Sequence, residues 1–314
     1  MATLSSVLVQ VPATTANVGP GFDCLGAALT LYNQFQFTVL EQPAGQTPTL
    51  IIEVEGIEAN RVQRDAQNLV YKAFCTCFAQ LDRPIPSLQI DIRLGVPLAR
   101  GLGSSATAII GGLMGANALA GSPLSQRQVL DLAIALEGHP DNVAPALLGG
   151  CQLAAFNEMS QDWTLCPIQW ADAIVPIVAI PDFELSTQTA RNVLPNQCSY
   201  ADAIFNIAHL GLLVKGLEAA QGEWIQVALQ DRLHQPYRIG LIPGFAELQA
   251  VALHVGAYGL VISGAGPTVL ALCGSEAADT VSRQMQVTWK QVGISAQTVK
   301  LQIDTKGATV QLMK

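Results

Sequence analysis

The sequence predicts an α+β protein of two units, on three observations. Segments with period-2 alternation, such as Asn33–Leu40 (NQFQFTVL), alternate with segments of helical apolar spacing, such as Asn68–Leu81 (NLVYKAFCTCFAQL). Some of the strand-like segments come in hairpin-like pairs, a pattern of sheets covered on one face. A chain of 314 residues also exceeds one ordinary hydrophobic core, so two domains are expected.

The first strand is Ser5–Ala13 (SSVLVQVPA), and the second is Asn33–Leu40, with Phe35, Phe37 and Val39 on one face. Thr49–Gly56 is the third; Ser87–Leu94 is the fourth and alternates Leu88, Ile90, Ile92 and Leu94. The helix at Asn68–Leu81 lies between the last two. An apolar helix over Ala106–Ala120 follows, stopped by Gly121. It is shorter than the roughly 20 residues of a membrane span, so it reads as a buried helix. Ser125 and Gln128 make a capping-box pattern that opens a helix running to Glu137. Gly149–Phe156 returns to a strand. The domain boundary is expected just after it, dividing the chain into 1–156 and 157–314.

The second unit opens with a strand at Ala173–Pro181 and a polar segment, Glu184–Pro195. Helices are expected over Ser199–Ala220, Gly244–Val255 and Glu276–Val292, with a strand pair at Tyr258–Cys273 before the last of them. Strands at Ala296–Ile303 and Gly307–Met313 close the chain.

Half the residues are apolar and 13% are charged, which argues for a compact fold and against disorder. The net charge of −8 speaks against nucleic acid or an anionic membrane surface as the main partner. An anionic small substrate stays possible, because a local arginine or a helix N-terminus can reverse the sign inside one cleft. The N-terminus has no basic n-region and no continuous apolar run, so no secretory signal is expected. Seven cysteines without a C-x-x-C pair read as free thiols in a reducing cytoplasm.

Pro97–Gly112 (PLARGLGSSATAIIGG) is the first candidate for chemistry. No lysine follows its glycines, so it is not a Walker A loop. It lacks a directly preceding strand, and no acidic residue falls between Arg93 and Asp131, which disfavours a dinucleotide fingerprint. Two readings stay open. The string is either a glycine turn with a serine N-cap, or a phosphate cradle of backbone amides, hydroxyls and a helix dipole.

Three further clusters accompany it. Val11–Leu29 places Asn17, Gly19, Gly21 and Asp23 in a turn. Glu137 sits in the last turn of its helix, where a carboxylate opposes the dipole at a cost of roughly 0.3–1 kcal/mol. A Mg²⁺ would compensate it; a solvated helix end would also suffice. Ile262–Thr268 (ISGAGPT) packs Ser263, Gly264, Gly266 and Pro267 between two apolar strands. Each is compatible with an ordinary turn; four together suggest a cleft between the units.

On these segments the chain resembles the superfamily of galactokinase, homoserine kinase, mevalonate kinase and phosphomevalonate kinase (GHMP), most closely its homoserine kinases. The first motif is Val11–Leu29 (VPATTANVGPGFDCLGAAL). The second is Pro97–Ala106, matching P-x-x-x-G-L-G-S-S-A without a mismatch, and the third is Ile262–Thr268. Glu137–Gly150 (EGHPDNVAPALLGG) points to homoserine kinase within the superfamily. The resemblance implies the two-domain GHMP kinase fold, with an N-terminal ribosomal-protein-S5-domain-2-like domain and a C-terminal ferredoxin-like α/β sandwich.

It also implies roles. The nucleotide-binding stretch would be Pro97, Leu98, Ala99, Arg100, Gly101, Leu102, Gly103, Ser104, Ser105, Ala106 and Thr107, with Gly101–Ser105 wrapping the ATP phosphates. Asn68 would contact the adenine, and Ser105 and Glu137 would ligate Mg²⁺. The positions for L-homoserine are Asn17, Asp23, His139, Thr187, Arg191, Arg238 and Gly264. Asp23 suits the ammonium group, and the two arginines suit the α-carboxylate as bidentate partners. For the bare residues, His139 as a carbonyl cap, Arg191 as a surface charge and Arg238 in a salt bridge to Asp231 are equally ordinary.

Where some superfamily members place an aspartate as general base, this sequence has Asn142. An amide cannot accept a proton at neutral pH, so the expected transfer is base-independent, with Asp141 as the alternative base. Asn142, Glu137 and Ser105 are the expected catalytic residues. The expected enzyme is a cytoplasmic ATP:L-homoserine phosphotransferase of threonine synthesis and a homodimer. A kinase for mevalonate or a threonine-like substrate, and a non-catalytic ligand-binding member, are the alternatives.

Overall fold

The computed structural model describes residues 6–41 and 47–313; Ser5, the start of the expected first strand, lies outside them. The first half comprises β1 (Ser6–Ala16), β2 (Leu25–Val39), β3 (Leu50–Gly56), α1 (Leu69–Gln80), β4 (Leu88–Leu94), α2 (Ser104–Leu119), α3 (Gln126–Glu137), α4 (Pro140–Leu148), β5 (Cys151–Asn157) and β6 (Asp162–Ile168). The second comprises β7 (Ile174–Pro181), α5 (Thr187–Asn192), α6 (Tyr200–Ala219), α7 (Gly222–Ala228), α8 (Gln235–Arg238), α9 (Phe245–His254), β8 (Ala257–Ile262), β9 (Val269–Gly274), α10 (Ala278–Gln291), β10 (Ala296–Lys300) and β11 (Thr309–Met313).

The first sheet runs in the order β11-β1-β2-β4-β3, and β5 and β6 extend it from the early part of β2. Among the described strands, only β3 and β4 pair in parallel. The period-2 pattern is realised: Val7, Val9, Phe35, Phe37, Ile90 and Ile92 point into one core, and α1 to α4 contribute to the same core. Among those helices α2 is apolar on every side, as a helix enclosed by its neighbours must be. Gly111 and Gly115 let it lie directly on the sheet, because a methyl at either would run into the rings of Phe35 and Phe37.

The second sheet is antiparallel, with β10 beside β7, then β9, then β8. With α9 and α10 against it, this is the strand order of the expected ferredoxin-like sandwich. The α+β expectation is borne out. β6 and β11 lie beyond the expected boundary at Phe156, yet both belong to the first sheet, which therefore draws strands from both sides of that boundary.

Four differences have physical causes. β2 begins at Leu25, because Leu25–Ala27 pairs with β5 after a register shift opposite Pro12 and Ala13. α4 was not expected, since Pro145 reads as a helix breaker; the helix tolerates it within nine residues that open on Pro140. α5, α7 and α8 are too short for a periodic signal, and in β6 only Trp163 and Leu165 alternate before Cys166 and Pro167 end the pattern. The last two strands are shorter than expected, and Ile303 keeps only an isolated bridge to Leu29.

Candidate active site

α2 starts at Ser104, and its N-cap is Gly103 at φ +67°, with no side chain capping the helix. This excludes a serine N-cap. Ser104 and Ser105 are helical residues rather than caps, so the first amides of α2 keep no side-chain acceptor, as a helix end open to an anion requires. The loop before them is fixed from both units. Thr14 N donates to Leu102 O at 3.1 Å, Ser263 Oγ donates to Gly101 O at 2.7 Å, and Thr268 N donates to Arg100 O at 3.2 Å.

Within Pro97–Thr107 the structure separates wall from support. Ala99, Gly101, Gly103, Ser104 and Ser105 line a cleft of 320 Å³. Leu98 lines a second cavity. Arg100 turns away, donating to the carbonyls of Pro181 (3.0 Å), Leu98 (2.8 Å) and Asp182 (3.1 Å). Leu102 and Ala106 are core residues, Thr107 bonds Ser104 O and Asn33, and Pro97 lines neither cavity.

The cleft gathers the other expected residues from distant parts of the chain. Asn17 and Asp23 come from the turn between β1 and β2, and Glu137, His139 and Asn142 from the α3–α4 junction. Thr187, Arg191, Arg238 and Gly264 come from the second unit.

Ser105 Oγ donates to Glu137 Oε1 at 2.7 Å. Burial pushes the Glu137 carboxyl above the usual carboxylate range, with Ser105 and His139 opposing the shift. No cluster of three or more His, Cys, Asp or Glu that could hold a metal occurs among the described residues. A cation here would therefore take Ser105 and Glu137 as its protein oxygens and complete its shell from phosphate and water. A buried carboxylate strained toward its neutral form beside a hydroxyl fits a hard divalent ion.

Five residues on, α4 presents Asn142, whose Oδ1 accepts from Thr14 Oγ at 2.7 Å and whose Nδ2 donates to Asp141 Oδ1 at 3.3 Å. His139 is no carbonyl cap: its Nδ1 lies 2.7 Å from Asp141 Oδ1, and that hydrogen bond raises the imidazole pKa. Asp141 is buried, and its Oδ2 has no partner among the described residues.

Arg191 is not a free surface charge. It donates to both oxygens of Asp23, at 3.0 and 2.8 Å. Asn17 accepts from Asp23 N at 2.8 Å and donates to Gly264 O at 2.9 Å, so one amide ties the acidic turn to the second unit. Arg238 is fully buried and donates to Ala190 O at 3.0 Å. It forms no salt bridge to Asp231, which instead accepts from the backbone of Leu233, His234 and Gln235 and from Asn206. Thr187 is the first residue of α5, which Ser186 caps. Phe22 and Thr14 escaped sequence reasoning. Phe22, an aromatic ring among glycines in PGFDC, carried a signal; Thr14 carried none.

A second cavity, of 390 Å³, shares Ser104 and Ser105 with the cleft. Phe35, Val62, Val70 and Leu94 make it apolar. Asn68 lies in its wall and caps α1, accepting from Val70 N and Tyr71 N and donating to Gln63 O. Its polar atoms are thus committed to the wall.

Two family models match, the GHMP kinases N terminal domain over residues 68–150 and the GHMP kinases C terminal over residues 212–291. The chain is 59% identical to the homoserine kinase of Trichormus variabilis over 309 residues, 98% of this chain and 100% of that one. The chain belongs to the homoserine kinase family. The homoserine kinase of Microchaete diplosiphon is also 59% identical, over 98% of both chains. The crystal structure of homoserine kinase from Cytophaga hutchinsonii superposes with a TM-score of 0.86 at 28% identity, covering 99% of each chain. Homoserine kinase family membership accounts for the two-domain fold, and the first-domain model spans the loop, Ser105, Glu137 and Asn142.

Proposed function

We propose that the chain transfers the γ-phosphoryl group of ATP to the side-chain hydroxyl of L-homoserine, giving O-phospho-L-homoserine for threonine synthesis, without a dedicated general base. One observation carries the assignment of sites: an apolar cavity and a charged cleft meet at the bare N-terminus of α2. The cavity suits the nucleotide base, with Asn68 shaping its wall. The amides of Gly101–Ser105 suit the phosphates that cross from cavity to cleft.

In the cleft, Asp23 receives the ammonium group, and Arg191 and Arg238 receive the carboxylate. The zwitterion takes over from the Asp23–Arg191 pair, so each charge exchanges one partner for another. Mg²⁺ held by Ser105 and Glu137 would neutralise charge on the phosphates. Asn142, with Oδ1 occupied by Thr14, offers Nδ2 to the homoserine hydroxyl and orients it. The hydroxyl oxygen bonds to the γ-phosphorus as the bond to the β–γ bridging oxygen breaks, and the hydroxyl proton leaves on the transferred phosphoryl group. Positioning and charge neutralisation supply most of the rate, as a loose transition state permits.

A second reading rests on Asp141. Its Oδ2 is buried and unpartnered in the wall of the same cleft, where a base would stand. We favour Asn142 because Asp141 already spends Oδ1 on His139 and Asn142.

The test is a coupled assay of ATP consumption with Mg²⁺ across homoserine, threonine, serine and mevalonate. Strong preference for homoserine supports the assignment; equal turnover of mevalonate overturns it. We also infer a cytoplasmic homodimer, supported by seven free cysteines and the family resemblance; light scattering after gel filtration tests the assembly.

A further inference from the structure

Behind the two arginines of the cleft lies a side chain that does not itself line it. His234 is fully buried just ahead of α8. Its Nε2 lies 2.9 Å from Gly19 O, in the turn that carries Asn17 and Asp23. Its Nδ1 lies 3.4 Å from Arg238 Nη1. The ring stacks on Phe22, with centroids 5.1 Å apart and planes 18° from parallel. Arg238 sits 4.9 Å over that same phenyl ring, and Arg191 sits 5.8 Å from it.

We propose that His234 is a positioning residue for the substrate carboxylate, holding the Arg238 guanidinium through Nδ1 and the acidic turn through Nε2–H, as a neutral imidazole. The partners dictate the tautomer. A carbonyl oxygen at Nε2 requires a proton there, and a guanidinium N–H at Nδ1 requires a lone pair. A protonated ring would turn a donor toward Arg238 and put a third cation beside Arg191 and Arg238. Burial keeps the imidazole pKa low, against the pull of Asp231 and Asp23.

The arrangement addresses a specific difficulty. Two guanidiniums that grip one carboxylate repel each other until it arrives. Arg238 is therefore held by four partners, Ala190 O, Gly264 O, His234 and the face of Phe22. Arg191 is neutralised by Asp23. Because Gly19 and Asp23 belong to one turn, His234 also sets the distance between the carboxylate and ammonium ends of the pocket.

This inference rests on the homoserine assignment above, and three variants test it: His234→Ala, His234→Gln and His234→Asn. The side chain of Asn can place an acceptor where Nδ1 stands, and that of Gln a donor where Nε2 stands. His234→Ala is expected to raise the KM for homoserine about tenfold with the KM for ATP within about twofold, the scale of one lost buried hydrogen bond. His234→Gln should keep the fold and still show most of that rise, while His234→Asn recovers part of the wild-type KM. With 3-aminopropan-1-ol, which lacks the carboxylate, His234→Gln, which keeps a donor toward Gly19 O, should turn over as wild type does. A folded His234→Gln with unchanged homoserine KM, parallel rises in both KM values, or Asn no better than Ala would overturn the proposal. If wild type itself shows no preference for homoserine, the substrate assignment fails instead.

Discussion

Ser105 and Glu137, thirty-two positions apart, share a 2.7 Å hydrogen bond that joins the first turn of α2 to the last turn of α3. Each lies where helix electrostatics supplies one half of a site: free amides at one end, an opposed carboxylate at the other. Glu137→Gln is expected to lower kcat by about 10²–10³, the range for losing one preorganised electrostatic group. The same change removes a buried charge, so the melting temperature should hold or rise. Turnover within about threefold of wild type at saturating Mg²⁺ would remove Glu137 from the machinery.

The Asp141–Asn142 pair separates the two accounts of proton transfer. Without a general base, Asn142→Ala should lower kcat by about 10–100-fold through lost orientation, and Asp141→Asn should cost less. Single-turnover quench experiments with ATP and homoserine bound measure the chemical step directly. If Asp141→Asn abolishes that step while homoserine still binds, Asp141 is the base.

Gly103→Ala probes the loop. The residue is at φ +67°, and an added methyl would meet Thr14 Oγ and approach Asn142 Oδ1 to 3.2 Å. Stability should fall by roughly 1–2 kcal/mol from the left-handed backbone alone. The Thr14–Asn142 hydrogen bond should break as well, so kcat should fall further than stability explains. Urea titration beside a rate measurement separates the two; a fall in stability with full kcat would refute the link.

The pH dependence follows from two raised groups. The His139 pKa is raised above 6.5, first by its hydrogen bond to Asp141, so the folded value exceeds the unfolded one. Its contribution to stability is complete below 6.5 and is lost as pH rises through the folded value. Glu137, raised by burial, acts in the same direction from 4.5 upward. His234, held low by burial, opposes them up to 6.5, so the unfolding free energy should fall from neutral to mildly alkaline pH. His139→Gln should flatten the part of that slope above 6.5 and leave the lower part intact; an unchanged upper slope would count against the His139–Asp141 pair.

Much of this site was legible because its parts are local. The capping box at Ser125 and Gln128, the stop at Gly121 and the adverse position of Glu137 depend on neighbours a few residues away, and each appears as expected. The bare N-cap at Gly103 was not readable, since a serine cap and a glycine cap leave the same string. α4 stayed hidden behind Pro140 and Pro145, whose cost the surrounding core outweighs. The Asp23–Arg191 pair spans 168 positions, and residue chemistry suggests a partner for each charge without revealing that they first choose each other. His234 reads as one more polar residue in a loop until its buried contacts are seen.

Ser6 and Met313 are register partners on neighbouring strands, so the described chain closes nearly into a ring. Everything from β7 to β10 is an excursion out of the first sheet that must return to it. The second unit is thereby tied to the first sheet at both of its ends. A protease nick between β7 and α6 would cut the covalent path to Arg191 on one side and leave the two pieces clasped through β1 and β11.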